Sequence, residues 1–225
     1  MKNQYFGDTR DLFKYDLLEH LMDHFRPRRF AFIAMLTKDD HTAHGLKRNY
    51  RSTKAGFNNE ELIRFLEQNS SGQEKDFTRI KKYYQQKKID ALIYDRPFTH
   101  KTRPAYFIEI PPEVLQAPLI FFDPDIGFRP KSSFDERHLE FFEFLYVVQQ
   151  AYENSVIMTI QFYPRKKRAE YIKDKRSELK TATGLDFLSL GTTEVLFLFT
   201  SKSPQTLKKL SVALESYKAR YPATF

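Results

Sequence analysis

The apolar run Leu119-Ile120-Phe121-Phe122 ends abruptly in Asp123-Pro124-Asp125, and these two carboxylates are the residues best placed to do chemistry. Four consecutive apolar residues between Pro118 and Pro124 predict a strand buried on both faces. Pro124 offers no N–H to a sheet, so the strand stops there. In open α/β sheets ligands bind at the carboxyl ends of the strands. Carboxylates fixed at that edge can accept hydrogens from an amine. They can also ligate Mg²⁺ or Mn²⁺, with Asp39 or Asp40 assisting, and activate water against a phosphodiester.

Other chemistry-bearing residues surround this turn. His41 and His44 lie three apart in a polar loop, a pair more often solvated than ligating. Phe128, Phe162 and Tyr163 offer ring faces that suit a nucleobase, or ordinary core packing. Arg96, Lys101 and Arg103 precede the strand, Arg129 and Lys131 follow it, and Arg165 to Arg168 lie beyond the next strand. On one face they would track phosphates; otherwise they are a solvated exterior.

The elements that must position these groups read as strand alternating with helix. A helix capped by Asp8 or Thr9 carries Leu12, Tyr15, Leu18, Leu21 and Met22 on one face. Phe30 to Leu36 is a strong first strand. Residues 46–88 are basic and helical in pattern, and read as an insertion or lid because their apolar residues are too few for an independent core. Ala91 to Tyr94 is a short strand, and Tyr106 to Ile110 reads as strand or extended loop. A long helix is expected over Asp135–Tyr152, a strand over Ser155–Ile160, and a basic helix from Lys166 to Thr183 that Gly184 terminates. Asp186–Leu190 and Glu194–Thr200 pattern as an antiparallel hairpin, followed by a last helix from Pro204. The expectation is a single α/β domain over 1–225, a three-layer sandwich with a mostly parallel sheet and a C-terminal antiparallel pair.

Composition narrows the chemistry. There is no cysteine, which excludes disulfides, thiolate metal sites and cysteine nucleophiles. A net charge of +8 suits a polyanionic partner. No run approaches membrane-span length and the N-terminus has no apolar core like that of a signal peptide, so the expectation is a cytoplasmic protein with no membrane partner.

Two stretches resemble a family. Gly7-Asp8-Thr9-Arg10-Asp11-Leu12-Phe13-Lys14-Tyr15 is similar to the opening motif of the ribosomal RNA adenine-N6 methyltransferases of the RlmJ kind, with Gly7, Asp11 and Lys14 matching, Asp8 in place of Asn and Tyr15 in place of His. Asp123-Pro124-Asp125-Ile126 resembles the Asp-Pro-Pro-Tyr motif of amino-methyltransferases, with Asp123 and Pro124 matching. The closing strands and helix resemble the end of the methyltransferase sheet. Asn3-Gln4-Tyr5 with Phe122 to Asp125 is also similar to a group of uncharacterised bacterial and phage proteins, a likeness that implies no function.

The resemblance implies a Rossmann-like enzyme that uses S-adenosylmethionine (SAM) on nucleic acid, RNA or DNA, at an exocyclic base amine. Gly7, Asp11 and Lys14 would hold the methionine end of the cofactor. Asp123 and the Pro124 carbonyl would orient the acceptor amine, with Asp125 beside them. Phe128, Lys131, Phe162 and Arg165 are the substrate-side candidates. The family's Gly-rich loop after the first strand is absent; Leu36 to Asp40 stand there, leaving Thr37 and Asp39 as cofactor contacts, Asp39 to a ribose. A metal-dependent nuclease built on Asp123 and Asp125 is the alternative. A nucleic-acid-binding relative without catalysis is the third reading.

Overall fold

The computed structural model describes residues 1–40, 47–52, 55–71, 75–130, 135 and 137–225. His41, His44 and Lys131 lie outside the described residues.

Helix α1 (Thr9–His24) leads into β1 (Arg29–Ile33). The crossover carries α2 (Glu60–Ser70) and α3 (Ile80–Gln86) to β2 (Asp90–Tyr94). Two single-turn helices, α4 (Arg103–Tyr106) and α5 (Pro112–Leu115), precede β3 (Leu119–Phe122). A small parallel pair, β4 (Gly127–Phe128) and β5 (His138–Leu139), and α6 (Phe141–Gln150) lead to β6 (Val156–Phe162). Then follow α7 (Arg168–Thr183), β7 (Phe187–Gly191), β8 (Val195–Thr200) and α8 (Pro204–Arg220).

The main sheet has the order β2-β1-β3-β6-β8-β7. Its first four strands are parallel; β8 runs antiparallel to both β6 and β7. This is the expected α/β three-layer, Rossmann-like sandwich with its C-terminal antiparallel pair.

The strands' period of two assigns each side chain to one of two cores. Phe30, Phe32, Leu119 and Phe121 face a layer built by α1, α2, α3 and α8. Ala31, Ile33, Ile120 and Phe122 face a layer built by α4 to α7. All four β3 side chains are wholly buried. Each contributes about 1.5–3 kcal/mol on burial, more than the whole ~1 kcal/mol span of strand propensities, so packing fixes β3 here.

Residues 46–88, expected as an insertion or lid, form in their described part the β1–β2 crossover. Leu62, Leu66, Phe77, Ile80 and Tyr84 are buried in the same core as α1. The helix expected over Asp135–Tyr152 begins only at Phe141. His138–Leu139 pair with β4, and a capping box between Glu140 and Glu143 starts the helix. Tyr106 to Ile110 are neither strand nor extended: α4 closes on Tyr106, whose hydroxyl accepts from the Met35 N–H at 3.0 Å.

Helix α1 differs from an ordinary surface helix. Asp11, Lys14 and Asp16 are buried along with its apolar face. Its far side is tied to α8, where the Tyr217 hydroxyl donates to Asp16 Oδ2 at 2.7 Å.

A candidate active site at the carboxyl edge of the sheet

The Asp-Pro-Asp turn sits where β3 stops, at the centre of the parallel strands. Asp123 N donates to the Ile33 carbonyl at 3.1 Å, which fixes the turn against the end of β1. On the other side the Gln161 carboxamide of β6 accepts from Phe128 N at 2.9 Å. Gly127 permits this approach: at φ +118° a Cβ there would lie 2.5 Å from the Gln161 side chain.

Helix α1 approaches the same edge from above. Asp8 caps it, its Oδ1 accepting from Arg10 N at 2.8 Å and Asp11 N at 2.9 Å. Gly7, at φ +79°, turns its N–H back to Asp11 Oδ2 at 2.9 Å. One turn on, Lys14 Nζ lies 2.6 Å from Asp11 Oδ1 and 2.7 Å from Asp123 Oδ2. The ammonium also lies against the Tyr15 and Phe32 rings, 4.8 and 5.5 Å from their centroids. All three charged groups are buried.

Burial opposes the charge on Lys14, but Asp11 and Asp123 outweigh it and raise the lysine above its ordinary value. Burial pushes Asp11 up, Lys14 pulls it down, and the net direction is upward. Burial, and then the neighbouring Asp11, push the Asp8 carboxyl up to about 7. The site therefore holds a carboxyl that changes protonation near neutrality.

Asp125 points elsewhere. Its Oδ1 pairs with the Met1 amino group at 2.6 Å, and its Oδ2 accepts from Thr37 Oγ1 at 2.5 Å. That amino group also donates to the carbonyls of Met35 at 3.1 Å and Asp123 at 2.9 Å. The two carboxylates of the turn thus serve different cations. Among the described residues no three His, Cys, Asp or Glu side chains converge as metal ligands would.

A cavity of about 600 Å³ opens over this network, lined among others by Asp8, Arg10, Asp11, Lys14, Lys47 and Asp123. Pro124, Asp125 and Phe162 complete its wall, and the Arg10 guanidinium lies 5.1 Å from the Phe162 ring centroid. The structure thus brings together Asp11, Lys14, Asp123, Pro124, Asp125 and Phe162, with Gly7 directly behind them. Four expected residues stand apart. Phe128 is core, stacked on Phe141 at 5.5 Å. Thr37 reaches the site through Asp125 and Met1, and Asp39 accepts from Gln4 N at 3.2 Å away from the cavity. Arg165 is exposed beyond β6.

The departure after β1 has a structural counterpart. Met35 takes φ +44° without being glycine, and Leu36 then bridges to Pro97 beyond β2. None of Leu36 to Asp40 lines the cavity. Sequence reading missed Arg10 and Lys47 as cavity residues and took Asp8 only as a helix cap. The Gly-Asp turn pointed to Asp8, but its burial depends on packing against residues far along the chain.

The basic residues separate into two groups. Arg103 forks onto Glu143 at 2.6 and 2.7 Å, Arg129 pairs with Glu140 at 2.7 Å, and Arg96 pairs with Glu109. These hold the α4–α6 layer together. Arg165, Lys166, Lys167, Lys173 and Arg176 are exposed and form no ion pair among the described residues.

No known family and no curated protein matches this chain. Among the described residues no helix is long and apolar enough to cross a membrane.

Proposed function

We propose that the chain is a SAM-dependent methyltransferase-like enzyme acting on an exocyclic base amine of nucleic acid. One observation carries this reading: Lys14 joins Asp11 to Asp123 on the wall of a single cavity. Two stretches 109 residues apart, each resembling the same class of enzyme, meet through direct bonds at the ligand-binding edge of the sheet.

The cavity's donor set suits SAM at its methionine end. Asp8 Oδ2 has no hydrogen-bond partner among the described residues and suits an α-ammonium. Arg10 and Lys47, which share Glu194 at 3.6 and 3.5 Å, can turn to the α-carboxylate. Asp39 is outside the cavity, so its ribose role has no support from position. When bound, SAM supplies an electrophilic methyl group.

The chain's own residues do the rest by orientation. Lys14 fixes Asp123 through Oδ2, and Oδ1 carries no bond among the described residues. Oδ1 and the Pro124 carbonyl can then accept the two amine hydrogens and aim the nitrogen lone pair. Holding reactants in such a geometry supplies most of the acceleration in a transfer of this kind. The methylated amine loses its extra proton after transfer, so no strong base is needed at the acceptor. The target base has to leave its stack to enter.

The test is calorimetric titration with SAM alongside transfer of labelled methyl to RNA and DNA, in wild type and Asp123→Ala. The variant leaves Lys14 paired with Asp11, so the buried cation stays compensated and the fold should hold. The expected result is SAM binding within a few-fold of wild type and no transfer. Wild-type protein that binds no SAM, or a variant that still transfers, overturns the reading.

A further inference from the structure

Beyond the cavity, α7 and the edge strand β7 form an open groove of about 830 Å³. Arg168, Lys173, Arg176 and Lys180 line it, with Asp186 and the terminal residue Phe225 on the opposite side. Lys173 and Arg176 have no carboxylate partner among the described residues, and the Lys180–Asp186 pair at 2.7 Å is exposed on both sides. Arg165, Lys166 and Lys167 extend the same positive edge at the start of the helix. The helix is anchored by Leu179, fully buried, with Tyr171 and Ile172 packed beside it.

A small pocket and Arg168 stand between the groove and the cavity. Thr9, Arg10 and Lys47 line both the main cavity and a neighbouring one of about 300 Å³, which Arg48 and Thr193 also line. Arg168 Nε donates to the Thr193 carbonyl at 3.1 Å and faces the α7 groove. Arg10 and Lys47 share the Glu194 carboxylate at 3.6 and 3.5 Å, and beyond them Arg48 and Arg168 lead to the cations along α7. From Arg168 to Lys180 the helix rises about 18 Å, room for several phosphates of one strand.

We infer that the α7–β7 groove is the tract along which the sugar–phosphate backbone flanking the target base lies. This rests on the nucleic-acid reading of the neighbouring cavity. Arg96, Arg103 and Arg129 are already paired with carboxylates, whereas Arg168, Lys173 and Arg176 line one groove without a carboxylate partner among the described residues. Lys and Arg side chains without partners keep their full attraction for phosphate and release counterions on binding.

The test compares binding of a fluorescein-labelled single-stranded 15-nucleotide oligomer, RNA and DNA, by wild type and two triple or double variants across a salt series. The groove variant is Lys173→Gln/Arg176→Gln/Lys180→Gln; the control is Lys208→Gln/Lys209→Gln on α8, exposed and on the other helical layer. The expected result is an affinity loss of about tenfold or more for the groove variant, with the log–log salt slope shallower by roughly two to three, and little change for the control. Melting temperatures within a degree or two of wild type would exclude unfolding as the cause. Equal losses in both variants, or binding unchanged in the groove variant, overturn the tract while leaving the cavity's function standing. Wild-type protein that binds neither oligomer at low salt, yet binds SAM, removes the nucleic-acid partner itself and the tract with it.

Discussion

Lys14 on α1 and Asp123 at the end of β3 are 109 residues apart in the chain and 2.7 Å apart in the structure, both buried. One ammonium between two carboxylates leaves a net negative charge inside the protein. Such a charge persists only where the geometry is good and neighbours compensate. The aromatic rings around Lys14 and the raised pKa of Asp11 are the local signs of that balance.

Removal of the cation should be costly. Lys14→Met leaves Asp11 and Asp123 facing each other without compensation, and the expected loss is about 3–5 kcal/mol. Urea unfolding measures it. A loss below about 1 kcal/mol would mean that the carboxylates are relieved by water or by protonation.

Asp8 makes stability depend on pH in a definite direction. Its carboxyl titrates near 3.8 when unfolded and near 7 when folded, so the folded state binds the extra proton. The resulting stabilisation is complete below about pH 3.8 and disappears as pH rises through 7. Asp8→Asn, which still caps α1, should flatten this decline, gaining on wild type between pH 4 and 7 and keeping the gain above 7. Urea midpoints at pH 5 and pH 8 test it; parallel pH profiles for the two proteins would count against the assignment.

Gly7 is a second sensitive point. At φ +79° it is in the left-handed region, and a Cβ would lie 2.3 Å from Ser70 Cβ. Gly7→Ala should cost about 2–5 kcal/mol, from backbone strain and overpacking together. Adding Ser70→Gly removes the collision but not the strain, so the double variant should recover part of the loss. If it recovers none, the contact with α2 is not what constrains the turn.

Arg103 distinguishes structural cations from those on α7. Arg103→Gln leaves Glu143 buried without its fork and should lower stability by about 3 kcal/mol or more. Oligonucleotide affinity should be unchanged at temperatures where the variant is folded. A tenfold affinity loss would place this residue in the interface instead.

The strand that organises the sheet was legible because four consecutive apolar residues held between two prolines suit a buried strand and little else. The Asp123 edge followed from the strand, and Lys14 and Asp11 from the opening motif. Phe128 was misplaced because an aromatic after an acidic turn fits a base-stacking role and a core role equally well; Phe141 and Phe144, which decide the matter, pack onto it from a separate helix. Arg103 and Arg165 look alike as residues near strand ends. The difference between them is Glu143, and no local spacing links it to position 103. Asp8 illustrates the same gap: a cap is a local property, whereas a pKa near 7 requires the whole environment that buries it.

The bond from Tyr217 to Asp16 has a consequence for how the protein comes into being. During translation α1, carrying Asp11 and Lys14, is made before its partner on α8, which follows 201 residues later. Before α8 docks, Asp16 has among the described residues only Asn59, which donates to its Oδ1 at 2.8 Å, and the lysine has no Asp123 until β3 arrives. The last contacts of α1 are therefore made only once the whole sheet and α8 are in place.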